Sequence, residues 1–136
     1  MNATQSDWLA LVGRITVAIL FLQNALGWIT GGLDGPIKGA ATMGVPVANI
    51  AVPLALAILI VGSLSVLLGF YMRLGALALA LFTLLAFVFF HRYWEKPEAA
   101  MATDRIHFFK DLALTGCLLF MAAFGPGRLS IDARRA

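Results

Sequence analysis

Four long apolar runs set the pattern of the chain: residues 8–30, 47–70, 74–91 and 107–125. Each holds roughly the 17–25 residues that a helix, rising about 1.5 Å per residue, needs to cross a hydrocarbon core. The pattern predicts an all-α integral membrane protein, an antiparallel four-helix bundle in a single domain over residues 1–136. Tyr71-Met72-Arg73 is too short to do anything but turn the second helix into the third. No internal repeat is visible.

The connections add detail. GGLDGPIKGAATMGVP, with Pro36 and Pro46, reads as irregular chain resting at the membrane surface. HRYWEKPEAAMATD is the most polar stretch; its Tyr93 and Trp94 suit a membrane interface, and Thr103 or Asp104 is placed to cap the fourth helix. Pro53 either opens or kinks the second helix. Gly62, Ser63, Ser65 and Gly69, then Gly75, Ala76, Ala78 and Ala80, predict backbones packed closely in lipid.

Composition agrees. Hydrophobic residues make up 61% of the chain and charged ones 12%, against roughly half and about a quarter in soluble domains. The formal net charge of +3 is scattered, with no basic face carrying interleaved aromatics, which excludes nucleic acid as a partner. MNATQSDW lacks the basic start of a secretory signal, so the first run is read as a retained span. Cys117 is the single cysteine. Disulfide frameworks and thiolate metal sites within one chain are thereby excluded, and the thiol is expected to be buried and inert.

Charges inside the spans carry the candidate chemistry, because an ionised group at mid-membrane costs at least about 2.5–3.5 kcal/mol. Asp104, His107, Asp111 and Thr115 fall on one helical stripe. The antiparallel path brings Gln23 and Asn24 to a similar depth, and His91 and Arg92 end the third helix on the same side. Gln23, Asn24, His91, His107, Lys110 and Asp111 are therefore expected to converge on a polar pocket flanked by Trp28 or Trp94. A quinone head group would suit it: amide or imidazole can hydrogen-bond the carbonyls, and His or Asp can move protons. The competing reading is structural, with Lys110 snorkelling, Asp111 paired to it or to Arg92, and interfacial histidines. No metal site is assigned, since the spacing matches no ligand motif. At the opposite face, Arg14 is expected to pair with Asp132, with Ser130 a further hydrogen-bonding group.

The stretch 107–132 also resembles a known family. FFKDLALTGCLL followed by GPGRLSID is similar to the FFK-[ND]-LAL-x-GG-LL run and GPGR-x-S-x-D exit of DoxX proteins, small four-helix bacterial membrane proteins. Arg14, the LGFYMR exit of the second helix and His91 fall in the order the resemblance leads one to expect. Cys117 stands where the family usually has a second glycine. Two departures occur: Gly27-Trp28-Ile29-Thr30 replaces a Gly-x-x-Lys, and Leu59 or a neighbour replaces the Glu that the resemblance leads one to expect before the glycine pair of the second helix.

The resemblance implies a bacterial inner (plasma) membrane location and a subunit associated with a redox complex that interacts with the quinone pool. Quinone is the one ligand expected and no intrinsic cofactor is. The partners implied are the lipid bilayer and either a redox partner protein or further copies in a homo-oligomer. The rival class is a non-catalytic membrane scaffold or small-solute permease, and catalysis by the chain itself stays open. Basic residues divide five against five between the two faces, so orientation leans on the exposed tail, which puts both termini in the cytoplasm.

Overall fold

A computed structural model describes residues 2–135. Among them there is no strand. The helices are α1 (Ala3–Gly31), α2 (Asp34–Thr42), α3 (Ala48–Leu68), α4 (Met72–Phe90), α5 (Glu98–Phe124) and α6 (Ile131–Arg135), with a 3₁₀ turn at Tyr93–Glu95. α1, α3, α4 and α5 are long and apolar enough to cross a membrane.

The turn between the second and third spans falls at residues 69–71 rather than 71–73, because α4 opens at Met72. Three further differences from the sequence reading each have a local reason. α1 starts five residues early because Asn2 and Gln5 form a reciprocal cap: each side chain accepts from the other's backbone N–H, at 2.9 and 3.0 Å. α5 starts at Glu98 rather than 107, directly after Pro97, so Thr103 and Asp104 are interior residues and cap nothing. The acidic Glu98 in its first turn suits the positive end of the helix dipole. The link expected to be irregular contains α2. Its Pro36 lies in the first turn, where backbone N–H groups have no helical partner to lose.

The bundle is built by neighbours in sequence. α3 packs between α1 and α4, and α5 lies against α4. Val17 and Phe21 from α1, Leu59 and Val66 from α3, Leu79 and Ala80 from α4, and Leu118 and Ala122 from α5 share one core. A second, smaller core joins Ala40 of α2 to Ala48 and Val52 of α3. The outside is as apolar as the inside: Ile19, Leu54, Val61, Leu81 and Phe120 all face outward. That surface is what lipid tails would cover.

Small residues let α3 and α4 meet closely. A Cβ on Gly62 would lie 2.8 Å from Leu79 Cγ, and one on Gly75 would lie 2.6 Å from Ser65 Cβ and 3.1 Å from the Gly62 carbonyl oxygen. Pro53 is accommodated inside α3, on an exposed face, and the helix runs through it. Cys117 is exposed on the outer surface of α5, which corrects the expectation of a buried thiol. On a helix whose outer side faces lipid, an apolar neighbourhood in sequence does not imply burial.

Candidate functional site

The end of α4 and the first turns of α5 gather ionisable groups at the rim away from the termini. α4 stops at Phe90, and the chain turns through Tyr93–Glu95 and Pro97 into α5. This short return faces the end of α4 with the stripe Asp104, His107 and Asp111. His91 Nδ1 lies 3.0 Å from Asp104 Oδ1, and its Nε2 lies 3.7 Å from Asp111 Oδ2. One imidazole thus bridges two carboxylates seven residues apart on one helix face. His107 stacks on His91 with ring centres 5.0 Å apart. Lys110 Nζ is 3.3 Å from His107 Nδ1 and 3.4 Å from Asp111 Oδ1. Lys96 Nζ approaches Asp104 at 4.0 Å.

Burial grades across the group. Asp111 is 14% exposed and Asp104 20%, whereas Lys110 is 53% exposed and reaches outward. The two carboxylates and the imidazole are therefore the sheltered part, and the lysines supply positive charge around it. Arg92 takes no part in it: it pairs with Glu95 at 3.2 Å and donates to the Met43 carbonyl at 3.3 Å, tying the turn to the end of α2. Phe108 forms an aromatic apron beside the cluster, edge-on to Phe87 at 4.9 Å, Tyr93 at 5.6 Å and Trp94 at 5.8 Å. Face-to-face histidines cannot clasp a haem between them, because each ring nitrogen's lone pair lies in the ring plane.

The remaining pocket candidates lie elsewhere. Gln23 and Asn24 are exposed, and Asn24 donates its amide to the Leu20 carbonyl of its own helix at 3.1 Å. Trp28 packs against both apolar cores, where it wedges α2 onto the bundle. So His91, His107, Lys110 and Asp111 converge, while Gln23, Asn24 and Trp28 do not join them. Asp104 is the member that sequence reading misassigned. Its place on the stripe with His107 and Asp111 was visible, but beginning α5 at 107 made it a cap. A groove of about 580 Å³ also lies away from the cluster, on the outer side of α3 and α4 between Val61, Ser65 and Tyr71.

At the other rim the chain ties its ends together. Arg14 is 1% exposed, and its Nη2 donates to the Leu129 carbonyl. Its Nε and Nη1 find no hydrogen-bond partner among the described residues. Asp132 is not the counter-ion expected for it. The carboxylate instead accepts from the backbone N–H groups of Tyr71 at 3.0 Å and Met72 at 3.1 Å, and the Asp132 N–H donates to the Gly69 carbonyl at 2.8 Å. The first turn of α4 has backbone donors without helical partners, and the Asp132 carboxylate caps them. Ser130, buried, donates to the Gly127 carbonyl at 2.7 Å and accepts from the Ala133 N–H at 3.1 Å. Asp7 of α1 accepts from the Arg128 N–H at 3.0 Å. The start of α1 and the stretch after α5 therefore lie at one face.

Four apolar spans with a knot at one rim and a histidine–carboxylate cluster at the other define a small multi-pass membrane protein. Comparison with known proteins agrees. The sequence model of the DoxX family matches residues 9–92. That match covers the first three spans and ends before the 107–132 stretch. Two Escherichia coli (strain K12) proteins cover nearly all of the chain. Inner membrane protein YphA is 30% identical over 126 residues, 93% of this chain and 89% of its own length. Inner membrane protein YqjF is 38% identical over 122 residues, 90% of this chain and 88% of its own. No solved structure matches the chain. The chain belongs to the DoxX family.

Proposed function

We propose that the chain is an inner-membrane subunit of a redox assembly that exchanges protons with a membrane quinone at the His91 cluster. The observation that carries this reading is the His91 ring held between Asp104 and Asp111, at 3.0 and 3.7 Å, where two spans reach the membrane rim. Reducing a quinone to its quinol takes two electrons and two protons. An imidazole between carboxylates can pass protons one at a time, taking one at one ring nitrogen and releasing one from the other. The Phe108 apron supplies aromatic edges beside which a quinone ring can lie. The electrons come from a redox partner protein.

Extraction of the purified protein with organic solvent should release an isoprenoid quinone identifiable by mass. Quinone binding should weaken at least tenfold in His91→Leu and in Asp111→Asn, with melting in detergent close to that of the parent. An extract free of quinone, or undiminished binding in both variants, would overturn the reading in favour of a non-catalytic scaffold.

Both termini are assigned to the cytoplasm, on the strength of the exposed Arg128, Arg134 and Arg135 gathered at that face. The His91 cluster then opens towards the outer surface of the membrane. A cysteine placed in the tail should resist a membrane-impermeant maleimide applied to intact cells, while one at Lys96 should react. The reverse pattern inverts the assignment.

A further inference from the structure

The face of α1 opposite the core carries an arrangement that lipid alone does not satisfy. Val17, Phe21 and Ala25 mark the buried side of the helix. Gln23 is two residues from both Phe21 and Ala25, so it points about 200° away, directly outward. It is exposed and makes no hydrogen bond within the described chain beyond its helical backbone. Asn24 beside it has its amide N–H turned back to Leu20, which leaves its side-chain oxygen open. Trp28, on the same helix, packs at the rim core formed by α2 and α3. Gln23 lies five residues deeper, about 7.5 Å further into the bilayer. A glutamine cannot carry its amide back to the head groups over that distance.

The same face holds Thr16, Gly27 and Thr30, all exposed. The two threonine hydroxyls donate to carbonyls of their own helix at 2.9 Å, so they are at home in lipid. A Cβ on Gly27 would meet nothing within 4 Å, so the helix surface is open where another backbone could approach. Gln23 and Asn24 are the groups left asking for a partner.

We infer that this face of α1 docks against α1 of a second copy of the chain, with the Gln23 and Asn24 amides of the two copies pairing across a two-fold axis. The chemistry of the side chain selects the occupant. A carboxamide carries both donor and acceptor, so two related by a two-fold axis satisfy each other with no further group needed. Lipid tails offer neither donor nor acceptor. An identical chain is complementary by construction, whereas a different partner would need a matching polar group at the same depth. The interface is separate from the His91 cluster and stands or falls without it.

The test uses the full chain with Cys117→Ala, since that exposed thiol would itself cross-link. Fluorescently labelled protein, diluted into lipid vesicles, is counted by single-molecule photobleaching. Two bleaching steps are expected for this parent. Gln23→Leu with Asn24→Leu should raise the dimer dissociation constant at least tenfold, with the melting temperature of the monomer in detergent unchanged because neither side chain touches the core. Gln23→Cys should form a disulfide-linked dimer under oxidation, and Phe120→Cys, outward on α5, should not. Single steps for the parent, equal dimerisation by the Leu variant, or cross-linking at Phe120→Cys in preference to Gln23→Cys would each overturn the inference.

Discussion

Replacing Gly69 by alanine is expected to lower the stability of the bundle by about 3 kcal/mol. Gly69 is buried at φ +63, and it is the left-handed residue that ends α3 and begins the three-residue return to α4. A side chain on that backbone costs roughly 1–2 kcal/mol. Collision adds more: a Cβ there would sit 2.5 Å from Ser130 Cβ and 3.2 Å from Pro126 Cβ, and closer still to Arg14 Nη1. Arg14 cannot simply swing away, because it is buried and anchored to Leu129. Gly69→Asn separates the two causes. Asparagine tolerates left-handed backbone but brings the same Cβ, so it should be nearly as damaging. Thermal unfolding in detergent checks both, and a Gly69→Ala protein melting with its parent would remove the knot from the stability argument.

Gly75→Val should be comparably disruptive, about 3 kcal/mol, by driving α3 and α4 apart. In lipid, helices are held by close packing rather than by expulsion of water, so a lost close approach is not recovered elsewhere. The added Cβ would lie 2.6 Å from Ser65 Cβ and 3.1 Å from the backbone oxygen of Gly62. The serine side chain has one way to move, but the carbonyl belongs to α3 and has none. Ser65 is also committed, donating to the Phe70 carbonyl at 2.6 Å. Gly116→Ala is the control. A Cβ at that position meets nothing within 4 Å, and its melting temperature should stay with the parent's. Equal melting of Gly75→Val and Gly116→Ala would show that the α3–α4 approach contributes little.

The spans were legible because a bilayer demands a minimum run of apolar residues, whatever surrounds them. Which side of each helix faces inward was far less so. Ile19 and Leu26 are as apolar as Val17 and Phe21, yet the first two face outward and Phe21 is 2% exposed. A helix with two apolar sides has no amphipathic signal to read. The inward placement of Gln23 and Asn24 rested on polarity alone and failed there. His91, His107, Lys110 and Asp111 were found because charge within a span is costly wherever it points. α2 was hidden because Gly and Pro read as breakers, although Pro36 falls at the one part of a helix that tolerates it. Arg14, Ser130 and Asp132 were placed at one rim, but their pairing depended on backbone donors at the start of α4 that no residue letter displays.

That rim also sets an order of assembly. Arg14 meets a carbonyl 115 residues further along, and Tyr71 meets a carboxylate 61 residues further along. In translation, the first helix and the central hairpin both enter the membrane long before their shared fastener exists. All four spans can be threaded while the bundle is still unlatched, and only Leu129 and Asp132, past the fourth span, close it. Closure at Leu129 and Asp132 thus follows the synthesis of all four spans. A chain ending just past Phe124 carries every membrane span, yet presents an unfastened Arg14 and an uncapped α4 to whatever machinery inspects new membrane proteins.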